Sequence, residues 1–149
     1  MHVEATRGQF HISSDPAQID VRACHDLLRA TYWASHRTPE QVEAALQGSL
    51  VVGLFDGERQ IGMARAVTDG VTFSWICDVV VENAYRGRGL GSWLIESLLA
   101  HPRVAPTRAV LVTKDAQSFY RRHGFEPHPY DCLRAARTAT WLTARAPAT

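Results

Sequence analysis

Two rhythms of apolar residues run along the chain. From Asp20, the positions Cys24, Leu27, Leu28 and Thr31 fall at i, i+3, i+4 and i+7, the spacing of a helix with one buried stripe, with Asp20 or Asp15 as its cap. TPEQ, Thr38 to Gln41, carries the start signals of a second helix: a Thr N-cap, Pro at the first position, an acid in the first turn and a Gln placed to close a capping box. That helix is expected to run to about Gln47, with Gly48 as a left-handed stop. The stretch SLVVGLFDGERQIGMARAVTDGVTFSWICDVVV then breaks into three β-branched runs separated by DGE and TDG, which predicts an antiparallel meander.

Helical spacing returns at Leu90, Trp93, Leu94, Ser97 and Leu98, and ends at His101 and Pro102. RAVLVT, Arg108 to Thr113, reads as a strand. Asp115 is placed to cap a helix carrying Ala116, Phe119, Tyr120 and His123 on one side, with Gly124 after its end. GQFHIS, Gly8 to Ser13, is expected as a first strand, FEPHPYDCLRAARTATWL from Phe125 as a closing strand region, and residues 143–149 as a frayed tail. The order is strand, two helices, three antiparallel strands, helix, strand, helix, strand. This is an α+β domain whose strand–helix–strand segment requires one parallel pairing.

Composition narrows the function classes. A chain of 149 residues with 46% apolar and 21% charged residues suits one folded domain, 1–149, able to bury a core. The net charge of +1, with charges scattered, gives no footprint for nucleic acid or an anionic membrane. The N-terminus lacks an apolar signal region and no run of about 18 apolar residues occurs, so the expected location is cytoplasmic. Three widely spaced cysteines and seven histidines form none of the paired spacings that hold a metal, so no metal is expected.

The most informative stretch is YRGRGLG, Tyr85 to Gly91, between the apolar run ending at Val81 and the helix from Leu90. The first amides of a helix have no intrahelical partner, and with the helix dipole they form a site for phosphate groups where no side chain blocks the approach. Gly87, Gly89 and Gly91 remove that obstruction, and Arg86 and Arg88 add positive charge. A tight structural turn is the competing reading. Neither a Walker loop nor a dinucleotide fingerprint fits, since no GK[ST] follows and GxGxxG is not matched.

VVVENAYRGRGLGSWLIESLL resembles the acyl-coenzyme A signature of the GNAT N-acetyltransferase superfamily, whose core [RQ]xxGx[GA] is met by Arg86, Gly89 and Gly91. The signature region spans about residues 75–101. DAQSFYRRHGF, within about 108–125, resembles the second signature, in which a tyrosine four residues before Gly-Phe sits beside the coenzyme sulfur. YWA at Tyr32, TDGVTF and TKDA are similar to stretches of a group of small bacterial GNAT proteins. One departure is Thr113, where many members carry Asn, so the contact of that amide is not carried over.

The resemblance implies a GNAT-like fold: a mostly antiparallel twisted sheet with one parallel, splayed strand pair, flanked by about four helices. It implies acetyl-CoA as co-substrate, bound by the backbone of Val79, Val80 and Val81 and by Arg86, Gly87, Arg88, Gly89, Leu90 and Gly91. A splay between the strand ending at Val81 and the strand Arg108–Thr113 would admit the pantetheine arm. The implied reaction is direct attack by a primary amine, of a small molecule or a lysine side chain. Tyr120 would be the acid for the departing thiolate, since a phenol with pKa about 10 is protonated at neutral pH. A backbone amide near Val79 or Val80 would polarise the carbonyl. Asp78 is the candidate base, with a salt bridge to Arg65 as the equal alternative. Tyr32, Trp33 and Arg37 would border the acceptor, and a homodimer is the assembly common among relatives. A non-catalytic acyl-CoA sensor on the same fold is the alternative function. Cys77 has no evident His partner and reads as a small apolar residue rather than a nucleophile.

Overall fold

The structure is a computed structural model that describes residues 1–135. It contains two compact units, residues 1–113 and residues 114 onward. The first unit holds a six-stranded sheet in the order β1 (Glu4–Arg7), β2 (Phe10–Ser13), β3 (Leu50–Asp56), β4 (Arg59–Thr68), β5 (Phe73–Val81), β6 (Arg108–Val110). Neighbours from β1 to β5 are antiparallel and β5 with β6 is parallel. Three helices complete the unit: α1 (Val21–Arg29), α2 (Pro39–Gln47) and α3 (Leu90–Ala100). The second contains α4 (Gln117–Arg121).

The local signals act where the sequence places them. Asp20 caps α1 by accepting from the Ala23 amide, and Thr38 and Gln41 form both halves of the capping box on α2. DGE becomes a two-residue hairpin loop between Asp56 and Arg59, with Gly57 at φ 59°. TDG becomes a longer turn in which Asp69 Oδ1 accepts from the amides of Val71, Thr72 and Phe73.

One face of the sheet packs Val51, Met63 and Val80 against Cys24, Leu27, Leu28 and Val42 from α1 and α2. Strand alternation turns Val52, Leu54, Ala64 and Ala66 to the opposite face, and α3 contacts β3, β4 and β5. Leu90, Trp93, Leu94, Ile95 and Leu98 of α3 are buried, which confirms the helical stripe; Trp93 also carries the Arg7 guanidinium 4.6 Å from its ring.

Several local expectations are corrected. The first strand is two: Gly8 turns at φ 57° and adds β1 to β2 as a hairpin. Gly48 ends α2 at φ −88° rather than in the left-handed region, its amide bonding back to Ala44 and Leu46. Strand β6 stops at Val110, three residues before Thr113, because its pairing with β5 ends at Trp75–Val110. Ala116, not Asp115, precedes α4, and no side chain caps it. Residues 125–135 form no strand; the remainder of that expected region and the tail 143–149 lie outside the described residues.

Truncation of Leu94, fully buried on α3, to Ala should cost roughly 2–5 kcal/mol. Thr38→Ala should cost about 1 kcal/mol through loss of the cap. Urea unfolding midpoints at neutral pH measure both, and a smaller loss for Leu94→Ala than for Thr38→Ala would contradict the assigned core.

Candidate active site

Strand β5 is where the candidate residues meet. Its register against β4 slips: Met63 faces Val80 and Arg65 faces Cys77, so Asp78 and Val79 together stand opposite Ala64. This is a β-bulge, and Asp78 occupies it at φ 52°, a left-handed conformation that few non-glycine residues adopt and that Asp and Asn tolerate best. The bulge aims the Asp78 carboxylate at three donors. Oδ1 accepts from Trp33 Nε1 at 3.0 Å, and Oδ2 accepts from Arg37 Nη1 at 2.7 Å and Arg65 Nε at 2.9 Å.

Each donor is itself held. Trp33 and Arg37 lie between α1 and α2, where His25 Nε2 donates to the Arg37 carbonyl at 3.1 Å and the Thr31 hydroxyl accepts from the Ala34 amide at 3.2 Å. Arg65 Nη1 donates to the Ser49 hydroxyl at 2.9 Å. Burial alone would raise the Asp78 pKa, but the guanidiniums of Arg65 and Arg37 outweigh it and hold the carboxyl below the usual aspartate value.

A carboxylate with both oxygens engaged, a lowered pKa and a side chain only 1% exposed is a poor proton acceptor. Of the two readings of Asp78, the salt bridge to Arg65 is present, joined by Arg37 and Trp33. Cys77 next to it is pushed up to about 11, mainly by burial, and stays a thiol at neutral pH.

Toward its C-terminal end β5 changes character. The last pair with β6 is Trp75–Val110, so among the described residues Ile76 to Val81 have no β6 partner. Val80 and Val81 are buried, and a cavity of about 600 Å3 opens beside them, bordered also by Asn83, Arg86 and Leu27. A short 3-10 turn, Asn83–Tyr85, leads to the glycine stretch.

That stretch is braced from the β3–β4 hairpin. Arg59 binds both Glu82 oxygens, at 2.7 and 2.8 Å, the Glu82 amide donates to the Ile61 carbonyl at 2.8 Å, and the Tyr85 hydroxyl donates to Asp56 at 2.8 Å. Arg86 turns its Nε back to the Val81 carbonyl at 3.1 Å, while the Arg88 guanidinium lies 5.5 Å from the Tyr85 ring. Gly87 and Gly89 adopt φ 80° and 75°, and Gly89 is the N-cap of α3. A Cβ at either would meet nothing within 4 Å, so backbone conformation requires glycine and the space before the helix is open. This fits the diphosphate of a coenzyme.

In the second unit, Tyr120 is half-buried among Phe119 and Phe125, with ring centroids at 5.0 and 5.7 Å. Gly124 turns at φ 88°, as a residue ending α4 should. Sequence reasoning passed over Asp56, Arg59, Glu82 and Gln60. The available signal was Gln60 in an apolar strand: buried, it accepts from the Asp20 amide at 2.8 Å and donates to the Gly62 carbonyl at 3.2 Å. Among the described residues no three His, Cys, Asp or Glu side chains are grouped to hold a metal ion, and no helix is long and apolar enough to cross a membrane.

A family model described as an acetyltransferase (GNAT) domain matches residues 47–127. A crystal structure of a candidate GNAT-family acetyltransferase from Xanthomonas campestris is 32% identical, with 94% of this chain and 100% of that one covered and a TM-score of 0.83. Serotonin N-acetyltransferase 2, chloroplastic, of Oryza sativa is 33% identical over 137 residues, 87% of this chain and 67% of its own. Histone acetyltransferase TAP1 of Glycine max is 32% identical over 79% of this chain, which spans 57% of that protein.

Asp78→Asn keeps a residue suited to positive φ and removes only the charge. It should destabilise the protein by about 3 kcal/mol at pH 7, since two largely buried guanidiniums lose their partner. Because the folded pKa lies below the unfolded value of about 3.9, the Asp78 contribution is present above that pH and is lost as pH falls through the folded value. The gap between the native protein and Asp78→Asn in urea midpoint should therefore narrow in acid. Equal midpoints at pH 7 would refute a stabilising role for the Asp78 ion pairs.

Proposed function

The chain belongs to the GNAT acetyltransferase family, and on that premise we propose that residues 1–149 act as one acetyl-CoA-dependent N-acetyltransferase that acetylates a primary amine by direct attack. The observation that carries this reading is the junction after β5, where two left-handed glycines lead into α3 across open space. Acetyl-CoA, when bound, supplies an acetyl group activated as a thioester.

The amides of Arg86 to Gly91 would hold the diphosphate, with the positive end of α3 behind them. The edge of β5 from Val79 to Val81, left without a β6 partner, offers backbone donors and acceptors to an extended arm, as a free strand edge does. An amide of Val79 or Val80, next to the bulge, would polarise the reacting carbonyl. Arg86 supports the junction through the Val81 carbonyl, and Arg88 adds positive charge beside the glycines.

Tyr120 is the general acid: its Oη holds the proton that the departing sulfur takes up. The proton lost by the amine passes to water, because Asp78 is committed to its three donors. Tyr32, Trp33 and Arg37 border the acceptor. They precede α2, the bulge holds Trp33 and Arg37 by hydrogen bonds to Asp78, and Tyr32 and Trp33 remain partly exposed.

Two measurements test the reading. Calorimetry should detect coenzyme A binding, weakened by Gly89→Val, whose side chain occupies the approach and opposes φ 75°. Incubation with acetyl-CoA and an amine panel should release free thiol, and Tyr120→Phe should lower kcat by roughly tenfold to several-thousandfold while coenzyme affinity stays near native. Full turnover by Tyr120→Phe removes that residue from the chemistry, and absence of coenzyme binding by the native chain removes the reading.

A further inference from the structure

We propose that the acceptor is an aliphatic primary amine that carries both an aryl group and a carboxylate, an aromatic α-amino acid in its simplest form, bound through the surplus charge of Arg37 and Arg65 and the rings beside them. This rests on the acetyl-transfer reading above and names its substrate class.

Arg37 and Arg65 both point to one carboxylate oxygen, and Asp78 is the only acid among the described residues paired with either. The side chains are 15%, 11% and 1% exposed, so two cations and one anion sit where water screens little. A net charge of +1 in such a place is unfavourable until an anion meets it. The same charge repels a second ammonium group, which selects against polyamines and lysine-rich peptides.

Exposed rings border the cluster. Trp33 has its indole N–H bound to Asp78 yet remains 36% exposed, and Tyr32 packs edge-on to it with centroids 5.1 Å apart. Arg65 faces Cys77 and Val67 faces Trp75 across β4 and β5, so these residues and Phe73 share one face of the sheet. Val67 and Phe73 on that face are 45% and 44% exposed, beyond the area that α1 and α2 cover. Aromatic and aliphatic surface thus runs up to an under-neutralised guanidinium pair. An aryl group with a carboxylate a few bonds away matches both halves.

Phenylalanine and 2-phenylethylamine share ring and amine and differ in the carboxylate. With the native chain and acetyl-CoA, kcat/KM for phenylalanine should exceed that for 2-phenylethylamine by about tenfold or more, with spermidine and a lysine peptide below both. In Arg37→Gln the preference should disappear through KM, and Arg37→Lys should restore part of it. Equal or better use of 2-phenylethylamine, or preference for spermidine or the lysine peptide, overturns the proposal. So does an Arg37→Gln loss confined to kcat and equal for both acceptors, which would assign the charge to the reaction itself. A panel without thiol release would fault the acetyl-transfer reading, and calorimetry with the two N-acetylated products then decides separately. Tighter binding of N-acetylphenylalanine that depends on Arg37 upholds the acceptor class, and equal binding refutes it.

Discussion

The carboxylate of Asp78 is almost removed from water, and it stays ionised because two guanidiniums and an indole N–H surround it. None of these groups could be buried alone without a severe desolvation cost. Their mutual dependence fixes three pieces of chain at once: the α1–α2 connection through Trp33 and Arg37, β4 through Arg65, and the bulge in β5 through Asp78 itself. The left-handed backbone at Asp78 is tolerated because this arrangement over-determines it.

The bulge divides β5 into two halves with different work. Its first half pairs with β6 at Phe73, Ser74 and Trp75 and carries the aromatic face beside the ion cluster. Its second half has no such partner and runs to the glycine junction, so its backbone groups are available to a ligand. The two halves meet at Asp78 and Val79, and the proposed reaction brings an acyl donor along one half to an amine along the other.

A loop built to bind phosphate groups has to be bare, and a bare loop has few side chains with which to hold itself. Here the restraint comes from outside the loop. Arg59 on Glu82, Asp56 on Tyr85 and the Ile61 carbonyl on the Glu82 amide tie the entrance of the junction to the β3–β4 hairpin. Arg86, inside the glycine stretch, closes the path by returning to Val81. Support of the glycine junction by a pair of strands fixes its backbone, as the proposed binding of a diphosphate there requires.

What the sequence by itself determined are the features set by a few adjacent residues: the capping box of Thr38 and Gln41, the turns at Gly57 and Asp69, the buried stripe of α3 and the glycine junction before it. Each depends on dihedral preferences or on helical spacing, which short stretches specify. Even there, context adjusted the ends: Gly48 closes α2 without a left-handed turn, and β6 ends where its partner strand departs. The fate of Asp78 belonged to the tertiary structure, because its partners lie 45, 41 and 13 residues away. An acid within an apolar strand showed that something must compensate its charge. Only the tertiary packing brought two guanidiniums and an indole N–H from the α1–α2 connection and β4 to that carboxylate.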